Sequence, residues 1–246
     1  MKENSIKFVL LTMITSLLFI LVFFISKILP FTDYANHFLS QCFVVCMIII
    51  YIKRKHRLEL FQFNLTNFIY GLWLGSFVFI IIILNIVTHL EMIKSIDFTV
   101  ATIFLLCAYN ITIGVFEELI YRGLIFNAFL ENNRPIYAAW MSSIIFGIVH
   151  LLNLTHNPDY VGAVTQVIYA IFLGMLFAAI YYVTQNLWSV IILHSMLDIS
   201  SGFYEIKHIG ENFNQGTTSI TLSFITIIIL LPILFIGIKI LKNTNR

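Results

Sequence analysis

The chain has 246 residues, of which 60% are hydrophobic and 11% charged, against the quarter or so of charged residues that a soluble domain carries. That balance excludes an ordinary water-soluble globule. A formal net charge of +2, without a basic and aromatic groove pattern, excludes nucleic acid as a partner.

Each bilayer crossing consumes about 20 apolar residues, so spans and short connections nearly exhaust the length. Apolar runs bounded by charges or turn residues predict spans near 6–29, 38–52, 68–87, 99–116, 136–152, 163–183, 187–199 and 219–240. The expected fold is all-α, a polytopic transmembrane helix bundle of about eight spans that forms one integral membrane domain over 1–246. The first run, Ile6 to Leu29, is longer than a signal-peptide core and lacks a small-residue cleavage site, so it is expected to stay as a helix. Cys42, Cys46 and Cys107 lie in apolar runs and read as buried small residues. The basic stretch Lys53-Arg54-Lys55-His56-Arg57 reads as a cytoplasmic anchor beside anionic headgroups, with a specific lipid site as the alternative. The fourth span has no clean end, because Phe116 to Phe126 continues a helical pattern with charges inserted. The seventh is short and interrupted by polar residues, which suits packing against protein rather than lipid.

An even number of spans puts both termini on one side, and basic residues choose the side. Lys2, Lys7, Lys53, Arg54, Lys55, Arg57, Arg134, Lys239, Lys242 and Arg246 fall together, and only Lys27, Lys94 and Lys207 fall opposite, with Arg122 set aside inside a helix. Ten against three makes both termini cytoplasmic.

Ionisable side chains within spans are costly, at roughly 2.5–3.5 kcal/mol each on insertion scales, so each needs a reason. Glu118 and Arg122 are four residues apart and share a helical face, which suits an ion pair. Glu117 lies about 100° around the helix from Glu118 and is left as a buried carboxylate that Arg122 does not readily neutralise. Phe146 and His150 stack an aromatic ring and an imidazole one turn apart, with Asn153 further along the same side. His194 and Asp198 repeat that spacing. Taken singly, each histidine reads equally as a hydrogen-bonded packing residue. Three helices presenting polar groups together favour a site.

Glu117-Glu-Leu-Ile-Tyr-Arg122 resembles the EExxxR motif, Phe146 to His150 the FxxxH motif, and His194 to Asp198 the HxxxN/D motif of the CAAX-protease and bacteriocin-processing (CPBP, Abi-type) family. All three stand in the family's order, within a core of approximately 99–200. The family consists of intramembrane endopeptidases, the type II CAAX prenyl proteases among them, together with bacterial proteins linked to bacteriocin immunity. The resemblance implies that Glu117 with His150 holds and deprotonates a water, and that His194 and Asp198 stabilise the oxyanion. It further implies that Glu118, Arg122, Phe146 and Asn153 shape the site or hold substrate. Prenyl-protease members usually carry Asn in the last position. An ionised Asp198 would repel an oxyanion, so it must be protonated, orient His194, or bind a metal. No cofactor is the favoured expectation. Zinc held by Glu117, His150, His194 and Asp198 is the alternative, although the HExxH helix that would signal it is absent.

The function expected is hydrolysis of a peptide bond in a peptide or membrane-associated protein. The site would open to the cytoplasmic half of the bilayer or a lateral gap, and the role would be bacteriocin or pheromone processing or self-immunity. The competing readings are a non-catalytic immunity factor and an ion-coupled transporter, in which Gly114, Gly147 and Gly174 would serve motion. The heavy use of Ile, Phe, Asn and Lys points to an AT-rich bacterial genome, hence a bacterial cell membrane. Oligomeric state is not legible here.

Overall fold

The computed structural model describes ten scattered residues between 10 and 28, and the stretches 33–96, 98–155, 158–207 and 217–244. The expected first span, 6–29, lies for the most part outside the described residues, as do Lys2, Lys7 and Arg246. Every regular element among the described residues is helical. In chain order they are α1 (Asp33–Arg54), a 3-10 turn (Leu58–Phe61), α2 (Leu65–Leu74), α3 (Ser76–Thr88), α4 (Leu90–Lys94) and α5 (Val100–Glu118). A π-helical segment (Leu119–Phe126) and α6 (Asn127–Leu130) follow, then α7 (Pro135–Val149), a 3-10 turn (His150–Thr155), α8 (Tyr160–Thr184), α9 (Leu187–Lys207) and α10 (Ile220–Asn243).

Local chemistry sets the ends. Asn64 caps α2 by accepting from the N–H of Asn67, Thr99 and Thr102 form a reciprocal capping box ahead of α5, and Pro135 starts α7. Asp159 caps α8 through the N–H of Gly162.

Among the described residues, five helices are long and apolar enough to cross a membrane: Ala35–Arg54, Val100–Leu130, Pro135–Leu154, Tyr160–Thr184 and Ile220–Asn243. They become six if α2 and α3, bent by 59° at Gly75, count as one broken span. The chain is thus a multi-pass membrane protein. The expectation of about eight rests further on 6–29 and on α9, whose apolar part, Leu187–Phe203, is a shorter helix. The fourth span runs on through the π segment to Leu130, 31 residues in all, which accounts for the missing sequence boundary near 116.

Contacts divide the chain into two compact units, 12–120 with 186–212, and 1–11 with 121–185 and 213–246. In the first, α9 is central and packs on α5, α3 and α2. In the second, α8 packs on both α7 and α10. Leu173 to Tyr181 of α8 are buried without interruption, the pattern of a helix covered on every side. Small residues permit this, since a Cβ on Gly174 would stand 2.9 Å from that of Ser143 on α7, and one on Gly237 of α10 would stand 2.9 Å from the backbone N of Leu176.

Two expectations change here. Gly114, Gly147 and Gly174 lie inside α5, α7 and α8 at close contacts between helices, so they are packing positions rather than helix breaks. The three cysteines are not buried either. Cys42 and Cys107 are half-buried and Cys46 is exposed, because an apolar residue on a membrane helix can face lipid at no cost.

Candidate active site

The first unit holds a cluster of ionisable side chains where α5 meets α9. A Cβ on Gly114 would lie 2.3 Å from Oγ of Ser195 and 3.2 Å from the carbonyl of Ile191, so only glycine allows the two backbones this close. Two turns earlier on α5 and two later on α9, a Cβ on Gly202 would meet Leu106 at 2.8 Å and Asn110 at 3.0 Å. The helices therefore run antiparallel. The last residues of α5, Glu117 and Glu118, come beside the middle of α9, where His194 adjoins Ser195.

His194 is buried and gathers three carboxylates. Its Nδ1 lies 2.7 Å from Oε1 of Glu118, which is itself fully buried. An ionised carboxylate only accepts, so Nδ1–H donates to it. The opposite nitrogen, Nε2, lies 3.4 Å from Oε2 of Glu117 and 3.5 Å from Oδ2 of Asp198. Those two side chains keep 20% and 25% exposure. One carboxylate thus fixes the ring, and two partly open ones share its working edge.

This corrects the sequence reading of Glu117. Glu117, expected to be left over, faces Nε2 of His194, and Glu118 accepts a hydrogen bond from Nδ1–H of the same ring. A helical wheel describes geometry within α5 alone, and α9 supplies the partner. Asp198 and His194, one turn apart, do meet as their spacing predicts.

The second unit holds Arg122, Phe146, His150 and Asn153. Arg122 is fully buried in the π segment, with its guanidinium 4.6 Å over the ring of Phe146 and 5.4 Å over that of Phe177. Phe146 also meets Tyr121 edge-on at 4.9 Å and His150 at 4.8 Å. One buried ring therefore supports a cation, a phenol and an imidazole. Nδ1 of His150 lies 2.8 Å from the carbonyl of Phe146, so it donates there and further chemistry falls to Nε2. Asn153 is exposed and donates to Oε1 of Gln166 at 2.9 Å.

For zinc, edges of 3.4 and 3.5 Å from Nε2 to Glu117 and Asp198 are of the size that ligands at about 2.0–2.2 Å around a tetrahedral ion require. Among the described residues no group of three His, Cys, Asp or Glu is arranged to hold an ion, and with Nδ1–H on Glu118 the ring atom of His194 that could ligate is Nε2.

Sequence reasoning passed over Tyr121, Phe177 and Ser195. Tyr121 sits inside the EExxxR motif, and Ser195 is a small residue beside His194, so both had a positional signal. Phe177 lies in an unbroken apolar run and had none.

Residues 98–200, which contain all of these side chains, match the family described as type II CAAX prenyl endopeptidase Rce1-like. A protein of Bacillus subtilis (strain 168) named "Putative membrane peptidase YdiL" is 30% identical over 108 residues, or 44% of this chain and 40% of that relative. The aligned stretch spans less than half of either protein.

Proposed function

We propose that this chain, whose residues 98–200 match the Rce1-like family of type II CAAX prenyl endopeptidases, is a membrane-embedded endopeptidase that cuts by water activation without a metal. The observation that carries this reading is the His194 cluster, an imidazole fixed at Nδ1 by buried Glu118 with Nε2 turned to Glu117 and Asp198. Nothing in helix packing alone requires three carboxylates and an imidazole in so apolar a setting.

In the proposed reaction Glu117 takes a proton from water as the oxygen attacks the scissile carbonyl carbon. The carbonyl π electrons move to oxygen, and the oxyanion accepts Nε2–H from His194, whose Nδ1–H stays on Glu118. Asp198 balances the positive charge of the doubly protonated ring. The carbonyl re-forms, the C–N bond breaks, and the proton held by Glu117 goes to the leaving amine. By the family resemblance, His150 shares in activating the water. The substrate is a peptide or a membrane-associated protein, and bacteriocin or pheromone processing or self-immunity is the proposed role.

The test is cleavage of a quenched peptide library by the purified protein in nanodiscs, beside Glu117→Gln and with and without a chelator. Cleavage lost in the variant and kept with the chelator is the expected result. Cleavage lost to the chelator and restored by zinc would replace this mechanism with a metal one. Cleavage that survives Glu117→Gln would remove Glu117 as the base.

A further inference from the structure

The basic stretch 53–57 takes no part in that chemistry. α1 ends in a Schellman turn, in which His56 is left-handed at φ 54°, its N–H returns to the carbonyl of Lys53 at 3.1 Å, and the N–H of Arg57 returns to that of Ile52 at 3.1 Å. The turn sets Lys53, Arg54 and Lys55 side by side, all exposed, at the negative end of a helix. Between Asp33 and Glu91 the sequence has one carboxylate, Glu59, and it is bonded to Arg57 at 2.6 Å. Among the described residues no carboxylate pairs with the three cations next to that pair, and Nζ of Lys55 lies 5.9 Å over the ring of Tyr51.

An apolar surface follows at once. Phe63, Leu65, Ile69, Tyr70 and Trp73 are exposed, and the rings of Tyr70 and Trp73 stack at 6.0 Å and 14°. α2 is turned 59° from α3, so it does not continue that span's axis. Its inner side is fixed: Gly71 is buried, and the carbonyls of Phe61 and Asn64 accept from Trp188 at 3.2 Å and Asn186 at 3.1 Å. The aromatic side therefore stays outward. A short helix off the span axis bearing Trp and Tyr suits the boundary between headgroups and acyl chains. Adjacent cations suit a negatively charged headgroup.

We infer that residues 53–74 form a binding surface for anionic phospholipid, with Lys53, Arg54 and Lys55 on the headgroup phosphate and Phe63, Tyr70 and Trp73 against the lipid beneath it. The test uses the full chain reconstituted in phosphatidylcholine bilayers containing a trace of spin-labelled phosphatidylglycerol or phosphatidylcholine, read by electron paramagnetic resonance. The wild type is expected to hold the anionic lipid at least about fivefold more tightly at low salt, roughly the worth of one surface cation, with the ratio falling as salt is added. K53Q/R54Q/K55Q brings the ratio to near one, whereas K239Q/K242Q on α10 leaves most of it. Trp73→Ala weakens association with both lipids and keeps the ratio. No preference in the wild type, equal loss in the α10 pair, or a preference unchanged by the triple substitution would overturn the inference. So would capture of a soluble acidic polypeptide without headgroup preference. Peptide cleavage does not enter this readout, so either proposal can fail alone.

Discussion

Glu117 and Glu118 are neighbours in sequence and meet the same imidazole from different sides. Their substitutions should therefore separate. Glu117→Gln is expected to lower kcat by about 10²–10⁴-fold, the usual weight of a general base, with KM and thermal stability little changed. Glu118→Ala leaves the buried Nδ1–H of His194 without its acceptor, which costs about 1–3 kcal/mol of stability and lowers activity as well. Glu118→Gln keeps an acceptor oxygen and should recover most of that stability. Unfolding in detergent and cleavage rates, measured on the same preparations, distinguish the two positions. The identity of Glu117, Glu118, His194 and Asp198 was legible from the expense of burying them. Which carboxylate faces which nitrogen was not, since that depends on how far α9 slides along α5.

Beside His194, the meeting of α5 and α9 depends on the absence of a side chain at Gly114. Gly114→Ala places a Cβ 2.3 Å from Oγ of Ser195, so α9 must shift or Ser195 must turn. The expected result is a loss of about 1–3 kcal/mol, as for other overpacked sites, together with reduced cleavage because His194 moves with Ser195. Ser195→Gly added to Gly114→Ala should restore part of both, and a double-mutant cycle measures the coupling. Elsewhere, His56 adopts a left-handed backbone without being glycine, so His56→Gly should stabilise the protein by about 1 kcal/mol, visible as a raised midpoint of thermal unfolding. The α5 continuation was legible as an unbroken helical pattern past Glu118, but its conversion to a π turn over 119–126 was not. That wider winding carries Arg122, which packs on Phe146 and Phe177, contacts remote in sequence.

Across the molecule, stability in acid should depend on a connection outside the spans. The hydroxyl of Thr218 bonds to Oδ2 of Asp159, the N–H of Thr218 donates to the same oxygen at 3.0 Å, and the N–H of Gly162 donates to Oδ1 at 3.0 Å. The Thr218 hydroxyl foremost, then these backbone donors against an opposing effect of burial, holds the Asp159 carboxyl below the ordinary carboxylate range. The folded state therefore releases this proton more readily than the unfolded one. Its contribution is complete above about pH 4, near the unperturbed value, and is lost as pH falls through the lower folded value. Asp159→Ala should cost about 1 kcal/mol at neutral pH and flatten this part of the acid dependence, as read from unfolding midpoints between pH 7 and pH 3.

The composition alone determined that the chain lives in a membrane as helices. An apolar chain must satisfy its backbone hydrogen bonds internally there, and a helix does so within each segment. The same expense of burying charge marked Glu117, Glu118, Arg122, His150, His194 and Asp198 as a candidate site, because such residues persist in spans only for a reason. Tertiary structure decided the partners: Glu118 for His194 through the Gly114–Ser195 contact, and Phe146 as the floor beneath Arg122. Periodicity along one helix fixes the face a side chain occupies, whereas the residue it meets there is set by the approach and axial offset of another helix, which close packing of small side chains determines.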